Sequence, residues 1–400
     1  MSTYKIAHIT PLFHQQAVMH DIIALGTDQR KHGWEVEIIT GRHVTMDLVR
    51  QVREMGFPVT QIQSFSKYIN PLGDIVTLVQ LCRLLRRKKF DLVHTHLPKA
   101  GFLGRLAAKF ARPQPMVIYA VHGAPFSPTL AYHEYWLFWL AERIAGALTD
   151  KFIFVSKDIR DWFIDAKVSN PGKSAVSYVP WDLHPYMAVA TISEEERQAR
   201  RQTAGFSPET IVLGNVSRIV PWKGHEYGIR VLHELKKEFK NIKYMIVGGL
   251  RGETENAHQD ALIELAKSLG VLQDVIFTGW QTDTPYFYSL FDIYLMTSMP
   301  LEGLGISAME AYAAGVPVVG FDWFGAREIL GENPNVVPSK DVAALAQAVK
   351  QEIVRLPETR LKRGEHLPRA RKLQERHSLP RRLKEHAEIY RDLLENRERC

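Results

Sequence analysis

Short β-branched, apolar runs alternate with longer amphipathic runs from residue 5 through most of this 400-residue chain. That alternation leaves few ways to fold. Segments 5–10, 35–40, 59–62, 92–96, 116–121, 151–155 and 176–179 read as strands. Helices fall between them at 17–32, 48–55, 74–88, 101–110, 132–147 and 157–166. A strand that passes through a helix to reach the next strand builds a parallel, doubly wound sheet. From about 183 to 207 the chain turns polar and helix-prone. A second series then begins, with strands at 211–216, 243–247, 275–279, 293–296 and 316–320. Its helices are expected at 225–239, 256–269, 284–290, around Glu310, at 326–330 and at 343–354. Four hundred residues exceed one ordinary core, so two domains are expected. The reading is α/β, with two Rossmann-like doubly wound domains at 1–185 and 207–368. A connection at 186–206 joins them, and a charged helical tail at 369–400 is broken by Pro380.

Composition narrows the class. With 46% hydrophobic and 24% charged residues this is an ordinary globular chain. It has no run of about 18 uncharged apolar residues that could span a bilayer. The start lacks the basic and apolar regions of a signal peptide. Cys82 and Cys400 are too few for a disulfide framework and suit a reducing compartment, so a cytoplasmic protein is expected. Net charge is +7, unevenly spread. Residues 1–185 carry 22 basic and 15 acidic side chains, residues 186–354 carry 15 and 21, and residues 355–400 carry 14 and 8. Basic and aromatic residues are not interleaved as on a nucleic-acid stacking platform, so no nucleic acid is expected. An anionic membrane surface is the other candidate for the basic face. The sharpest basic spot, Arg83-Leu-Leu-Arg-Arg-Lys-Lys89, reads first as a solvated helix end with cations at its C-terminus.

The richest segment runs from Pro300 to Val319 and carries Glu302 and Glu310 eight positions apart. Gly303 and Gly305 permit a tight turn and close backbone approach. A helix follows through Glu310, stopped by Gly315 and Pro317, and then a buried parallel strand. A glycine-led helix N-terminus offers free N–H groups and a positive dipole end, which suits phosphate. Eight residues of helix would separate the two acids by about 12 Å, the span of a sugar, a diphosphate and a ribose. As a bare pair they would equally suit a solvated helix face. The glycines, the helix stop and the strand weigh against that.

A second constellation is Gly214-Asn-Val-Ser-Arg-Ile-Val-Pro-Trp-Lys-Gly224. Arg218 and Lys223 fall at a strand end, where open α/β sheets bind ligands. A guanidinium fork and an ammonium point charge can neutralise a diphosphate. The chain has no Asp-x-Asp pair to hold a divalent metal for that task. The first βα turn lacks a Gly-x-Gly-x-x-Gly fingerprint, which argues against a nicotinamide enzyme. His94 and His96 alternate on one strand and share a face, but no third ligand is evident, so no metal site is expected. The aromatic helix with Tyr132, Tyr135, Trp136, Phe138 and Trp139 reads first as core packing, with a membrane-interface or lipid-acceptor surface as the alternative.

Together these segments resemble the family 4 glycosyltransferases, retaining enzymes of the GT-B fold that use nucleotide-sugar donors. The paired glutamates, the Gly315-Val-Pro-Val-Val319 run, Ser217-Arg218 and Lys223-Gly224 carry the resemblance in the second domain. His94-Thr-His-Leu-Pro-Lys-Ala-Gly101 and Val121-His-Gly-Ala-Pro-Phe126 resemble the subgroup that builds bacterial surface polysaccharides, lipopolysaccharide and lipid-linked glycans. The resemblance implies two domains facing across a cleft, with the C-terminal tail crossing back to the first. It implies that Arg218 and Lys223 hold the donor diphosphate and that the backbone at Gly303, Leu304 and Gly305 touches sugar and phosphate. Glu302 would bind sugar hydroxyls, Glu310 the ribose, and the loop with Trp280 and Thr282 the base. His122 would stand near the donor sugar, and His14 and Gln15 on the acceptor side. The implied reaction is a metal-independent hexosyl or N-acetylhexosaminyl transfer to a glycan or polyprenyl-linked acceptor, with no cofactor. The enzyme would work in the cytoplasm, peripherally on the inner face of the membrane. Two positions depart from the family pattern. The loop Thr10–Gln16 lacks the usual glycine pair, and Pro180-Trp181-Asp182 replaces an Asn-Gly before the Asp. A nucleotide-sugar epimerase of the same fold, and a non-catalytic membrane scaffold, are the competing readings.

Overall fold

The computed structural model describes residues 4–13, 17–127, 130–249, 257–299, 303–322, 325–331 and 335–398. The chain divides into two compact units, Met1–Pro180 with His377–Cys400, and Trp181–Arg376.

The first unit runs β1 (Lys5–Phe13), α1 (Ala17–Lys31), β2 (Glu35–Val44), α2 (Met46–Glu54), β3 (Val59–Gln61), α3 (Pro71–Lys88), β4 (Leu92–His96) and α4 (Pro98–Phe110). It continues through β5 (Met116–Val121), α5 (Tyr132–Ala147), β6 (Lys151–Phe154), α6 (Lys157–Asp165) and β7 (Ser174–Val176). The second unit holds α7 (His184–Val189), α8 (Glu194–Thr203), β8 (Ile211–Val216), α9 (His225–Leu235), β9 (Ile242–Val247), α10 (Ala257–Ser268), β10 (Val275–Phe277), α11 (Thr284–Leu290) and β11 (Ile293–Met296). It closes with α12 (Ile306–Ala313), β12 (Val318–Phe321), α13 (Ala326–Leu330), β13 (Val336–Val337), α14 (Val342–Leu361) and α15 (Leu367–Arg376). The last helix, α16 (Leu379–Glu398), belongs to the first unit.

Both sheets are wholly parallel. Their strand orders are β3-β2-β1-β4-β5-β6-β7 and β10-β9-β8-β11-β12-β13. In each, the winding reverses between the first strand of the series and the fourth, β1 beside β4 and β8 beside β11. Ligands of open α/β sheets bind outside such switch points, at the carboxyl ends of the strands.

Strand parity sorts the first core. Ala7, Ile9 and Val93 pack with Leu81, Leu84 and Leu103 of α3 and α4. Ile6, Leu92 and Ile118 pack on the other face with Tyr390 and Leu394 of α16. Successive strand side chains point to opposite faces, so His8, His94 and His96 join the α16 side. There α16 is held by a fully buried ion pair, Arg382 on both oxygens of Asp21 in α1 at 2.5 and 2.6 Å. Pro380 falls in the first turn of α16, where its missing N–H costs nothing.

The polar stretch 186–206 folds as α7 and α8 inside the second unit. Its amphipathic face explains why. Arg197 and Arg201 of α8 are buried and meet Asp292, which precedes β11, at 3.4 and 3.1 Å. Arg360 joins them at 2.8 Å, and the backbone N–H of Val212 donates to the same carboxylate at 2.9 Å. The three arginines hold Asp292 below the usual carboxylate range against the opposing effect of burial.

Candidate active site

The switch point of the second sheet gathers two of the sequence motifs. Arg218 follows β8 and is exposed, its guanidinium 5.7 Å from the ring of Trp222. Its carbonyl accepts from His225 Nε2 at 3.2 Å. Burial pulls His225 down to about 4, so it is neutral near pH 7. Lys223 ends a 3-10 turn, and Gly224 then opens α9 with φ +65°. A Cβ at Gly224 would stand 2.2 Å from the carbonyl oxygen of Thr297, so glycine is required there on both counts. That close approach draws two loops together. Thr297 Oγ1 donates to the Lys223 carbonyl at 2.9 Å, and Met299 N–H donates to the Trp222 carbonyl at 2.8 Å. The Arg/Lys loop after β8 is thereby tied to the glycine loop after β11.

Gly303, Leu304 and Gly305 are buried in that second loop, and Gly305 caps the N-terminus of α12. Glu310 lies in the second turn, as the spacing predicts. Its carboxylate is not solvated. Oε1 accepts from Trp181 Nε1 at 2.9 Å and Oε2 from the Tyr288 hydroxyl at 2.7 Å. Burial raises the Glu310 pKa, and these hydrogen bonds with one from Tyr186 oppose the rise. Trp181, one of the two departures from the family pattern, therefore acts as a hydrogen-bond donor to the ribose candidate. This contact was not legible, because 129 positions separate the partners. Trp280 and Thr282 follow β10 and are exposed. Thr282 borders a depression of about 550 Å³ that Trp181 and Tyr186 also line. Glu302, His14 and Gln15 lie outside the described residues.

In the first unit, His122 follows β5 and is half-buried, with burial pulling it to about 4. Its Nε2 stands 3.5 Å from His96 Nδ1. A third imidazole, not evident in the sequence, stands beside His94 and His96: His8, which pairs in register with His94 across β1 and β4. Finding it required the register of two strands far apart in sequence. Leu97, between these histidines and α4, holds φ +70°, an uncommon conformation for a branched side chain and a mark of local constraint.

The core-packing reading of the aromatic helix holds only in part: Tyr135, Phe138 and Trp139 are half-buried, Tyr135 against Phe126 and Trp139 donating to the Ala166 carbonyl at 3.0 Å, while Tyr132 and Trp136 are exposed. Only Glu142, Ala145 and Gly146 of α5 are buried. Glu142 pairs with buried Arg105 at 2.7 Å, and a Cβ at Gly146 would meet the Val168 carbonyl at 2.4 Å, so the helix docks on its small residues. Tyr132, Trp136, Leu137 and Leu140 face outward. The basic cluster does behave as a solvated helix end, with Arg86, Arg87 and Lys88 exposed in the last turn of α3.

Two parallel-sheet units with a cationic, glycine-tied switch point define a glycosyltransferase of the GT-B fold. Comparison with known proteins agrees and sharpens this. The model of glycosyltransferase family 4 matches residues 22–184, and that of glycosyl transferases group 1 matches residues 196–366. The chain belongs to the family 4 glycosyltransferases. It is 23% identical to the capsular polysaccharide biosynthesis glycosyltransferase CapM of Staphylococcus aureus, over 88% of each chain. It is 24% identical, over 64% of each chain, to an Escherichia coli α-1,3-galactosyltransferase that takes UDP-galactose to GlcNAc-diphosphoundecaprenol. Among solved structures, Anabaena HepE in complex with UDP-glucose superposes with a TM-score of 0.73 at 21% identity, covering 97% of this chain and 99% of that one.

Proposed function

We propose that this glycosyltransferase moves a hexosyl or N-acetylhexosaminyl group, with retention, from a nucleoside-diphosphate sugar to a glycan or polyprenyl-linked acceptor. The service is bacterial polysaccharide or glycoconjugate assembly. The observation that carries the reading is the pair of hydrogen bonds, one from the Thr297 hydroxyl and one from the Met299 backbone N–H, tying the Arg218/Lys223 loop to the glycine loop at the β8/β11 switch point. Arg218 and Lys223 take the diphosphate and stabilise the charge that grows on it as the glycosidic bond breaks. Amides at Gly303 to Gly305 and the α12 dipole add to that field. Glu302 binds donor-sugar hydroxyls and Glu310 the ribose, while Trp280 and Thr282 flank the base. His122, His14 and Gln15 are the candidates for the sugar and acceptor side. The leaving phosphate receives the acceptor's proton, so no protein nucleophile and no metal is needed. The E. coli relative's lipid-diphosphate acceptor and CapM's role support the acceptor class.

Attachment to the inner face of an anionic membrane belongs to the same reading. No helix among the described residues is long and apolar enough to cross a bilayer. In the first unit, Ile69, Leu72, Ile75 and Val76 are exposed at the start of α3, whose other end carries the basic cluster. The outward aromatics of α5 supply a second apolar face. Aromatic and aliphatic side chains beside Lys and Arg suit a lipid interface. Calorimetric titration with a panel of nucleotide sugars and nucleoside diphosphates tests the donor reading. Failure to bind any of them contradicts it.

A further inference from the structure

The first unit contains a feature that sugar transfer does not use. His8, His94 and His96 are fully buried on one face of the sheet, at the switch point between β1 and β4. One ring nitrogen from each lies within 4.8 Å of the others. His8 Nδ1 and His96 Nε2 are 3.0 Å apart. Two nitrogens on a tetrahedral zinc, each about 2.0–2.1 Å from the ion, stand about 3.4 Å apart. The rings thus need to move by little more than about an ångström to share one ion.

The outward nitrogens are already engaged. His8 Nε2 meets Gln29 Oε1 at 3.0 Å, His94 Nδ1 meets the Tyr390 hydroxyl at 2.8 Å, and His96 Nδ1 meets His122 Nε2 at 3.5 Å. An oxygen facing His8 Nε2 places the ring proton there and leaves Nδ1 with its lone pair. Metal-bound histidines show this pattern, the far nitrogen fixed by a second group that orients the ring. His94 Nε2 is buried with no hydrogen-bond partner. A buried polar atom without a partner is costly, and a cation would satisfy it. With that proton on His8 Nε2, the 3.0 Å contact makes His96 Nε2 the donor to His8 Nδ1, so metal binding moves the His96 proton to Nδ1, which faces His122 Nε2.

We propose that His8 Nδ1, His94 Nε2 and His96 Nε2 bind one divalent first-row transition ion, with zinc as the probe. Three imidazoles without a protein oxygen or sulfur ligand favour zinc, copper or nickel over magnesium, calcium or manganese. Three imidazoles leave the fourth tetrahedral position to a water. The ion clamps β1 to β4, and through Gln29 and Tyr390 it braces α1 and α16, while the donor chemistry proceeds without it.

The test uses the full, tag-free chain, stripped with a chelator and then dialysed against Zn²⁺. The expected result is one zinc per chain by elemental analysis and a raised Tm. X-ray absorption at the zinc edge should report nitrogen ligands at about 2.0–2.1 Å. His94→Gln and His8→Gln should lose the ion, and His20→Gln, on the exposed face of α1, should keep it. Gln29→Leu removes the group orienting His8, which also meets the Tyr390 hydroxyl behind His94, and should weaken zinc about 10- to 100-fold while the chain stays folded. A wild-type chain that holds no zinc after dialysis overturns the proposal. So does stoichiometry unchanged in both His8→Gln and His94→Gln, or an absorption spectrum that lacks the outer-shell scattering of imidazole rings or shows sulfur ligands.

Discussion

Replacing Trp181 by Phe should move stability and donor affinity in opposite directions. The indole N–H holds Glu310 Oε1 at 2.9 Å, and the Tyr288 hydroxyl holds Oε2 at 2.7 Å. Glu310 is 5% exposed, so water does little to replace a lost donor. A hydrogen bond to a charged group contributes about 1.5–3 kcal/mol, and Trp181→Phe should destabilise the free protein by an amount in that range. If Glu310 is the ribose ligand, the indole occupies the oxygen that a ribose hydroxyl needs. Its removal then lifts a competition of the same size, and a nucleoside diphosphate should bind roughly 10- to 150-fold tighter. Denaturant unfolding gives the first quantity and isothermal titration calorimetry the second. Unfolding that weakens together with nucleotide affinity would refute the competition, and would make Trp181 a support of the ribose site.

Three further outcomes follow from other parts of the structure. Asp292→Asn leaves Arg197, Arg201 and Arg360 without their shared carboxylate and should cost about 3–5 kcal/mol in denaturant unfolding. His225 is held down to about 4, so its share of stability is complete above its ordinary 6.5 and is lost as pH falls from 6.5 toward 4. Across that window the wild type should lose up to about 1.4 kcal/mol per pH unit from this group, and His225→Gln should lack that part of the slope in unfolding at pH 5, 6 and 7.5. Flotation with anionic liposomes should carry the wild type upward, and Ile69→Asp with Leu72→Asp should leave it in the soluble fraction. Wild-type protein that never floats would contradict membrane attachment.

Much of the architecture is local and therefore legible. The alternation of periods gives two parallel sheets, and glycine and proline punctuation locates the helix at Glu310 within a residue or two. Register and burial are not local. His8 becomes the neighbour of His94 only once β1 is paired with β4, and the winding order decides that. Trp181 meets Glu310 by tertiary folding alone. Apolar content does not equal burial in the aromatic helix, where Tyr135, Phe138 and Trp139 are half-buried but Tyr132 and Trp136 are exposed. Its most buried positions are Glu142, Ala145 and Gly146, and a side chain at Gly146 could not have approached Val168 so closely. Helix α14 runs to Leu361, past the expected end at 354 and through Pro357, with Leu356 still buried in the turn.

The central claim is that Arg218 and Lys223, on the loop tied to the glycines before α12, hold the diphosphate of a nucleotide-sugar donor. Calorimetry in the presence of a chelator tests it most directly, comparing wild type with Arg218→Ala/Lys223→Ala against nucleoside diphosphates and their sugars. The wild type should bind without added metal. The double variant should lose about a hundredfold or more in affinity, as two charge-assisted contacts of about 1.5–3 kcal/mol each disappear. Equal affinity in the two proteins, or no nucleotide binding by the wild type, would contradict it.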